Sequence, residues 1–194
     1  MAIWISIGVG AALILFFVTR VNSRLIKIVE PKVGFLNLLD ESARLLLVED
    51  RDAIRGSFYE VRESIDVAPQ CDVLLIYCTV FADGSLHGTT SSLRQMIADS
   101  GAKIIIVATD NSVECYKEAL KLDGEKANIV LTLDRRGWKF AHFMKQLFET
   151  MEKGLSMPVA WVRLAPQNPG VEHEDCPSTL FSSELGSVVF KRIS

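Results

Sequence analysis

Two polar segments hold the residue types that reactive or ligand-binding sites need, and each directly follows an apolar run. Segment 82–90 (ADGSLHGTT) follows the run 73–80, and segment 109–112 (TDNS) follows the run 104–107. Sites in parallel sheets lie outside the carboxyl ends of the strands. Both segments also run into predicted helices, whose first amides favour an anion or an oxyanion. We take them as the candidate site, with ordinary turn and cap chemistry as the alternative.

One arrangement within these segments would make a nucleophilic site. Ser112 is the candidate nucleophile, His87 is the candidate base, and the amides of Gly84 and Ser85 are the candidate oxyanion donors. Alternatively, Ser112 is a first-turn helix serine and His87 an ordinary loop histidine. The further candidates for oxyanion or ligand contacts are Thr89, Thr90, Asp110, Asn111, Arg135 and Arg136. The two arginines either bind a phosphate or form a solvated charge pair.

Metal and cofactor motifs are not found in the sequence. Cys71 and Cys78 are seven residues apart on one predicted strand, so their side chains point to opposite faces. His173 and Cys176 lie close together, but no second pair has matching spacing. Neither the dinucleotide-binding glycine fingerprint nor the P-loop lysine motif occurs. We therefore predict neither a metal nor a cofactor.

The elements that must position these residues alternate along the chain. Buried strands are predicted from apolar runs at 73–80, 104–107, 129–133, 159–164 and 188–190. Helices are predicted from apolar residues at helical spacing over 54–65, 93–101, 113–120 and 138–151. This alternation predicts an α/β domain with a mainly parallel sheet and helices on both faces, Clp/crotonase-like or Rossmann-like in character.

A membrane segment precedes this domain. Residues 2–18 (AIWISIGVGAALILFFV) carry no charge, and a helix of about seventeen to twenty residues here would span roughly 26–30 Å. A cleaved signal peptide is the alternative, but nothing basic precedes the run and 19–21 is a poor cleavage site. Basic residues only follow the run, which predicts a cytoplasmic domain beyond it: Arg20, Arg24, Lys27 and Lys32.

The domain boundaries follow from these assignments. We predict a single transmembrane helix at 1–20, a basic juxtamembrane segment at 21–34 that continues the helix along the membrane surface, and a cytoplasmic α/β domain at 35–194. The expected location is the cell membrane, and the bilayer itself is the first expected partner.

Composition excludes several classes of protein. A net charge of −3 with 49% hydrophobic residues excludes a disordered tail and a protein that binds bulk nucleic acid through positive charge. The single span excludes a multi-span channel. Four cysteines are too few for a disulfide scaffold in a chain of 194 residues.

Four stretches of the chain carry a family resemblance: RLIKIVEPKVG, EVRESIDVAPQCDVLLIY, ADGSLHGTTSSLRQM and GAKIIIVA. Together they resemble, over about residues 1–136, the membrane-anchored, Clp-protease-like serine peptidases of the serine dehydrogenase proteinase family, relatives of signal peptide peptidase A. The resemblance implies an oligomeric protein with a peptide substrate, Ser112 as nucleophile, and Gly84 and Ser85 as the oxyanion turn. The small residues that flank the family's serine are replaced by Asn111, Val113 and Glu114, which implies impaired catalysis.

Two loop–helix units support a different interpretation. DGSLHGTTSSLRQM, and IVLTLDRRGWKFAHFM followed by PVAWVRLAP, resemble the ligand-facing units of CRISPR-associated Rossmann-fold domains that bind cyclic oligonucleotides. That family's threonine–glycine-rich ligand loop is replaced here by 134–137 (DRRG). The resemblance implies a homo-oligomeric sensor of a small nucleotide that signals through its transmembrane helix.

A third interpretation is an anchored interaction module with no small-molecule site. The arrangement of the strands separates the first two interpretations. An antiparallel hairpin beside the helix of Ser112 would favour the peptidase, whereas an uninterrupted parallel sheet would favour the sensor.

Overall fold

The structure, a computed structural model, describes residues 25–39, 44–108, 128–131, 137–164, 179–182 and 187–191. None of the helices in these ranges is long and apolar enough to cross a membrane. The predicted transmembrane helix at 1–20 and the predicted helix at 113–120 lie outside the described residues.

The described residues form eight strands and four α-helices. In chain order they are β1 Ile26–Val29, β2 Lys32–Asn37, α1 Arg44–Ile54, β3 Glu60–Ser64, β4 Val73–Tyr77, α2 Leu93–Ser100, β5 Ile104–Val107, β6 Asn128–Leu131, α3 Gly137–Glu152, α4 Met157–Leu164, β7 Thr179–Ser182 and β8 Val188–Lys191. A 3₁₀ turn at Arg55–Ser57 follows α1.

A six-stranded sheet in the order β3–β2–β4–β5–β6–β7 organises the domain. The first five strands are parallel to their neighbours, and β7 runs antiparallel to β6. Strands β1 and β8 pair in parallel as a separate ribbon. The predicted α/β class with a mainly parallel sheet is therefore confirmed.

The strand order reverses between β2 and β4. From β2 the chain passes through α1 to β3 on one side, and it then crosses back to β4 on the other side of β2. In open α/β sheets such a reversal leaves a crevice at the carboxyl ends of the two strands, because the following connections diverge to opposite faces. A ligand site is therefore expected at the residues that follow Asn37 and Tyr77.

Alternating side chains of the buried strands supply two hydrophobic cores. Val73, Leu75 and Tyr77 of β4 point to the face that is covered by α1, α3, α4 and β8. Leu74 and Ile76 point to the opposite face, where α2 packs. Helices cover both faces of the sheet, as the alternation of apolar runs predicts.

The crossover from β3 to β4 is a loop, residues 65–72, where this fold could hold a helix. It crosses strand β2 at Gly34, on the face that α2 covers further along the sheet. A Cβ atom at Gly34 would lie 2.6 Å from Pro69 Cγ and 2.7 Å from Cys71 Sγ. Glycine is required at this position by the close approach of the loop rather than by its backbone conformation.

Two of the predicted helices are wrong in the region before β4. Residues 54–65 hold the end of α1, the 3₁₀ turn and strand β3, because Phe58 and Val61 reach the core from extended backbone. The expected helical continuation over 21–34 contains the start of β2 and all of β1, and the burial of β1 alternates with the period of two of a strand. The folded domain thus includes part of the stretch expected as a juxtamembrane segment.

The strand predicted at 159–164 is also wrong, since Met157–Leu164 forms helix α4. Short apolar runs do not distinguish a buried strand from a buried helix. Pro158 lies in the first turn, where a missing amide proton costs no hydrogen bond, and the amide of Ala160 donates to the Ser156 carbonyl over 2.8 Å. The predicted strands at 73–80, 104–107, 129–133 and 188–190, and helices α2 and α3, are present with small changes in their bounds.

Candidate functional site

The crevice at the strand reversal begins where β2 and β4 end side by side. Asn37 and Tyr77 are register partners, and the amide of Leu38 donates to the Tyr77 carbonyl over 2.8 Å. The Asn37 side chain then accepts from the amide of Leu39 over 3.0 Å, which turns the chain away from the sheet. Beyond this point the connection after β4, residues 78–92, borders the crevice.

Connection 78–92 is held in one shape by its own backbone. Val80 and Leu86 form an antiparallel bridge, and both side chains are buried. The amide of His87 donates to the Thr79 carbonyl over 3.0 Å, and the amide of Phe81 donates to the Ser85 carbonyl over 2.9 Å. A loop fixed in this way is preorganised, so binding a ligand there costs little conformational entropy.

The turn at Asp83–Ser85 uses its own polar groups internally. The carboxylate of Asp83 accepts from the Ser85 amide over 2.9 Å and from its hydroxyl over 2.6 Å. These bonds, the hydroxyl's above all, hold the pKa of Asp83 below its ordinary value. The amide of Gly84 donates to the Phe81 carbonyl over 2.9 Å. An oxyanion at the predicted donors Gly84 and Ser85 would therefore have to displace existing hydrogen bonds.

The next turn, Gly88–Thr90, has unused donors instead. Within the described part of the chain, the amides of Gly88 and Thr90 have no acceptor, whereas the amide of Thr89 closes a turn over His87 and Gly88. Gly88 has a φ of +78°, and a Cβ on it would lie 3.9 Å from the carbonyl oxygen of Leu38. The turn thus lies against the end of β2, at the crevice. Free amides in such a turn suit the oxygen atoms of a phosphate.

Two exposed rings lie beside this turn. His87 is exposed, and Phe81 retains 45% of its surface exposed, with 6.3 Å between the two ring centroids. An exposed phenylalanine next to an imidazole offers a planar group a surface on which to stack. His87 therefore lies in the connection that borders the crevice, next to an aromatic ring, and its role as a base stays a prediction.

A buried acid, Asp50, lies beneath the crevice and was not predicted from the sequence. Asp50 on α1 is fully buried and accepts a hydrogen bond of 2.5 Å from the Tyr77 hydroxyl. Its spacing from Leu47 and Ile54 on the buried side of α1 is the signal that could have revealed it. The pair fixes α1 against the end of β4 and so supports the crevice from below.

The other predicted site residues lie outside the described residues, and their roles stay predictions. They are Asp110, Asn111, Ser112, Arg135 and Arg136. The two strands that precede these residues, β5 and β6, end at the same edge of the sheet as β4, since all three are parallel. The expectation that both polar segments begin at one edge is consistent with this arrangement.

Across the described ranges, no cluster of three or more His, Cys, Asp or Glu side chains could hold a metal ion. Comparison with known proteins adds nothing further, since no family model, curated protein or solved structure matches the chain. The function of the crevice therefore has to be inferred from its own residues.

Proposed function

We propose that this protein is a membrane-anchored sensor whose Rossmann-like α/β domain binds a small nucleotide, of the cyclic oligonucleotide class, in the crevice between β2 and β4. The observation that carries the proposal is the position of the donor-lined turn Gly88–Thr90 against the end of β2, where the strand order reverses. Crevices at such reversals are where sheets of this kind bind nucleotides.

The strand arrangement supports the sensor over the peptidase. Strands β5 and β6, which precede and follow Ser112 in the chain, are neighbours and parallel. The sheet is uninterrupted and parallel from β3 to β6, and its antiparallel member, β7, lies at the edge. The hairpin that would favour a peptidase is thus not formed between these two strands.

The residues of the crevice suit the phosphate group and the base of a nucleotide. The amides of Gly88 and Thr90 and the threonine hydroxyls would donate to phosphate oxygens. Phe81 and His87 would stack on a base. The arginines Arg135 and Arg136 follow β6, whose carboxyl end lies at the same edge, and they would supply the positive charge that the turn itself lacks.

The anchor gives the bound nucleotide a way to act. With one transmembrane helix per chain at 1–20 and the domain in the cytoplasm, ligand binding would change how the domains of a homo-oligomer contact each other. That change would reorient the membrane helices. No chemical step is needed in this scheme, so neither Ser112 nor a cofactor takes part.

The test is thermal unfolding of the full-length chain in detergent, with cyclic and linear oligoadenylates as the probes. At a hundredfold excess over the dissociation constant, a ligand adds about 2.7 kcal/mol, which corresponds to a rise of about 5–10 °C in a chain of this length. We expect this rise with at least one cyclic probe and its loss in Arg135→Ala/Arg136→Ala.

A matched pair of glycine variants separates binding from stability. Gly88 and Gly154 both have positive φ, at +78° and +90°, and an added Cβ would clash at neither: it would lie 3.9 Å from the Leu38 carbonyl oxygen at Gly88 and more than 4 Å from any atom at Gly154. Alanine at either position strains the backbone to a similar degree, but only Gly88→Ala reshapes the donor turn. Only Gly88→Ala should reduce the ligand-induced rise. No rise with any probe at saturation, or an equal rise in both variants, refutes the proposal. Fluorophosphonate labelling that disappears in Ser112→Ala would favour the peptidase.

A further inference from the structure

The ribbon of β1 and β8 has one buried face and one outer face. Ile28, Val188 and Phe190 are buried against the core that contains α3. The register pairs Lys27 with Val189 and Val29 with Lys191, so these four side chains share the opposite face. Leu25, which directly precedes β1, lies at the end of this face.

The outer face combines solvent-exposed apolar and basic side chains. Leu25 and Val29 retain 51% and 46% of their surface exposed, and Lys27 and Lys191 are exposed beside them. None of the side chains at 25, 27, 29, 189 and 191 is acidic. Exposed aliphatic residues interleaved with lysines are typical of surfaces that contact the headgroup region of a membrane.

The short connection before the ribbon limits how far this face can lie from the predicted membrane helix. Only six residues separate the end of the apolar run 2–18 from Leu25. Even fully extended, that connection spans at most about 25 Å. Arg20 and Arg24 belong to the same stretch of sequence, so the connection itself is basic. A ribbon tethered so closely to the predicted membrane helix stays within reach of the bilayer surface.

We propose that the outer face of the β1–β8 ribbon docks on the anionic leaflet of the membrane that holds the anchor. Leu25 and Val29 enter the headgroup region, and Lys27 and Lys191 contact lipid phosphates. Glu30, which follows β1 with a φ of +51°, turns the chain from β1 into β2. The proposal depends on the predicted membrane helix and is independent of the nucleotide site.

The test measures the distance of single positions from the bilayer. The full-length chain with Val29→Cys is labelled with an environment-sensitive fluorophore, in a background with Cys71, Cys115 and Cys176 replaced by serine. It is reconstituted into vesicles of phosphatidylcholine and phosphatidylserine that contain spin-labelled lipid. The matched control is Gln95→Cys, an exposed position on α2, which covers the other face of the sheet. We expect strong quenching at 29 and little at 95.

A second experiment, with the same fluorophore at position 29, tests the contribution of charge to docking. Since one lysine near an anionic leaflet is worth about 1 kcal/mol, Lys27→Gln should lower the ratio of docked to undocked domain roughly fivefold. Vesicles of phosphatidylcholine alone should lower that ratio as well. The proposal would be overturned by equal quenching at 29 and 95. It would also be overturned if quenching at 29 changed neither with Lys27→Gln nor with lipid charge, or if the chain did not insert into vesicles. Nucleotide-induced stabilisation would be unaffected by Lys27→Gln, which separates this proposal from the proposed function.

Discussion

Replacing Gly34 by alanine tests how tightly the 65–72 connection crosses β2. The new Cβ would lie 2.6 Å from Pro69 Cγ and 2.7 Å from Cys71 Sγ. Contacts between carbon atoms are favourable only from about 3.5 Å outward, so the connection would have to move by about 0.9 Å. The proline ring cannot rotate away, because its side chain is part of the backbone ring.

The cost follows from what holds the connection in place. The amide of Asp72 donates to the Lys32 carbonyl over 2.9 Å, and the amide of Cys71 donates to the Ser100 carbonyl over 3.2 Å. A shift strains these bonds and also displaces the buried side chain of Ala68. Overpacking of this kind costs about 1–3 kcal/mol. We expect about 2 kcal/mol, or a melting temperature lower by about 4–8 °C.

Thermal unfolding in detergent, followed by tryptophan fluorescence, measures the loss, because Trp161 is fully buried. Gly56→Ala is the matched control, since a Cβ there meets nothing within 4 Å, and it should change stability by less than about 0.5 kcal/mol. Combining Gly34→Ala with Pro69→Ala should recover at least about 0.5 kcal/mol relative to additivity. Equal stability of the two glycine variants, or strict additivity with Pro69→Ala, would refute the reasoning.

Three further predictions concern single groups near the crevice. Burial raises the pKa of Cys78 to about 12, so iodoacetamide should label it only after unfolding, and mass spectrometry showing labelling of the folded chain would contradict this. Tyr77→Phe removes the hydroxyl's hydrogen bond to Asp50 and should cost about 1.5–3 kcal/mol in the same unfolding assay; an unchanged melting temperature would be inconsistent with this bond. The pKa of Asp83 is lowered by Ser85, so its stabilising effect is present above its unfolded pKa and is lost as the pH falls through the folded value. Ser85→Ala should move the pKa of Asp83 upward in an NMR titration, and an unchanged titration would exclude the hydroxyl as its cause.

The sequence predicts best those elements that are buried on both sides. Strands β4 and β5 are continuous apolar runs, VLLIY and IIIV, and every residue in them is buried. Helix α3 keeps its apolar residues at helical spacing over four turns, a signal that no strand can produce. Periodicity and burial agree in these elements, so the local pattern and the tertiary structure lead to the same assignment.

The elements that the sequence mispredicts depend on distant contacts. Strand β2 contains Gly34, a weak strand former, which the sheet needs because the 65–72 connection passes over it. Strand β3 lies at the edge of the sheet and is mostly polar, so its burial pattern is faint. The spacing of Ile54, Phe58 and Val61 fits a helix, yet the three residues reach one core from α1, a loop and a strand.

Half of the candidate site could be predicted and half could not. The parallel sheet is enough to bring connection 78–92 to the edge where ligands bind, and Ser92 caps α2 at the end of that connection. The strand reversal could not be predicted from the sequence, because the chain returns from β3 to β4 without a helix that would mark the crossover. The unused amides of Gly88 and Thr90 also depend on which carbonyls are nearby in space, a property of the folded loop rather than of residue types.

Strand β2 is the direct link between the ribbon and the crevice. It begins three residues after β1 ends and reaches the crevice at Asn37, five residues and about 17 Å later. Its central residues are buried, and it pairs with β3 on one side and with β4 on the other. A strand held on both edges cannot slide without breaking two ladders of hydrogen bonds. In the proposed sensor, ligand binding at one end would therefore reach the membrane as a reorientation of the whole domain, which neighbouring subunits of the proposed homo-oligomer would register.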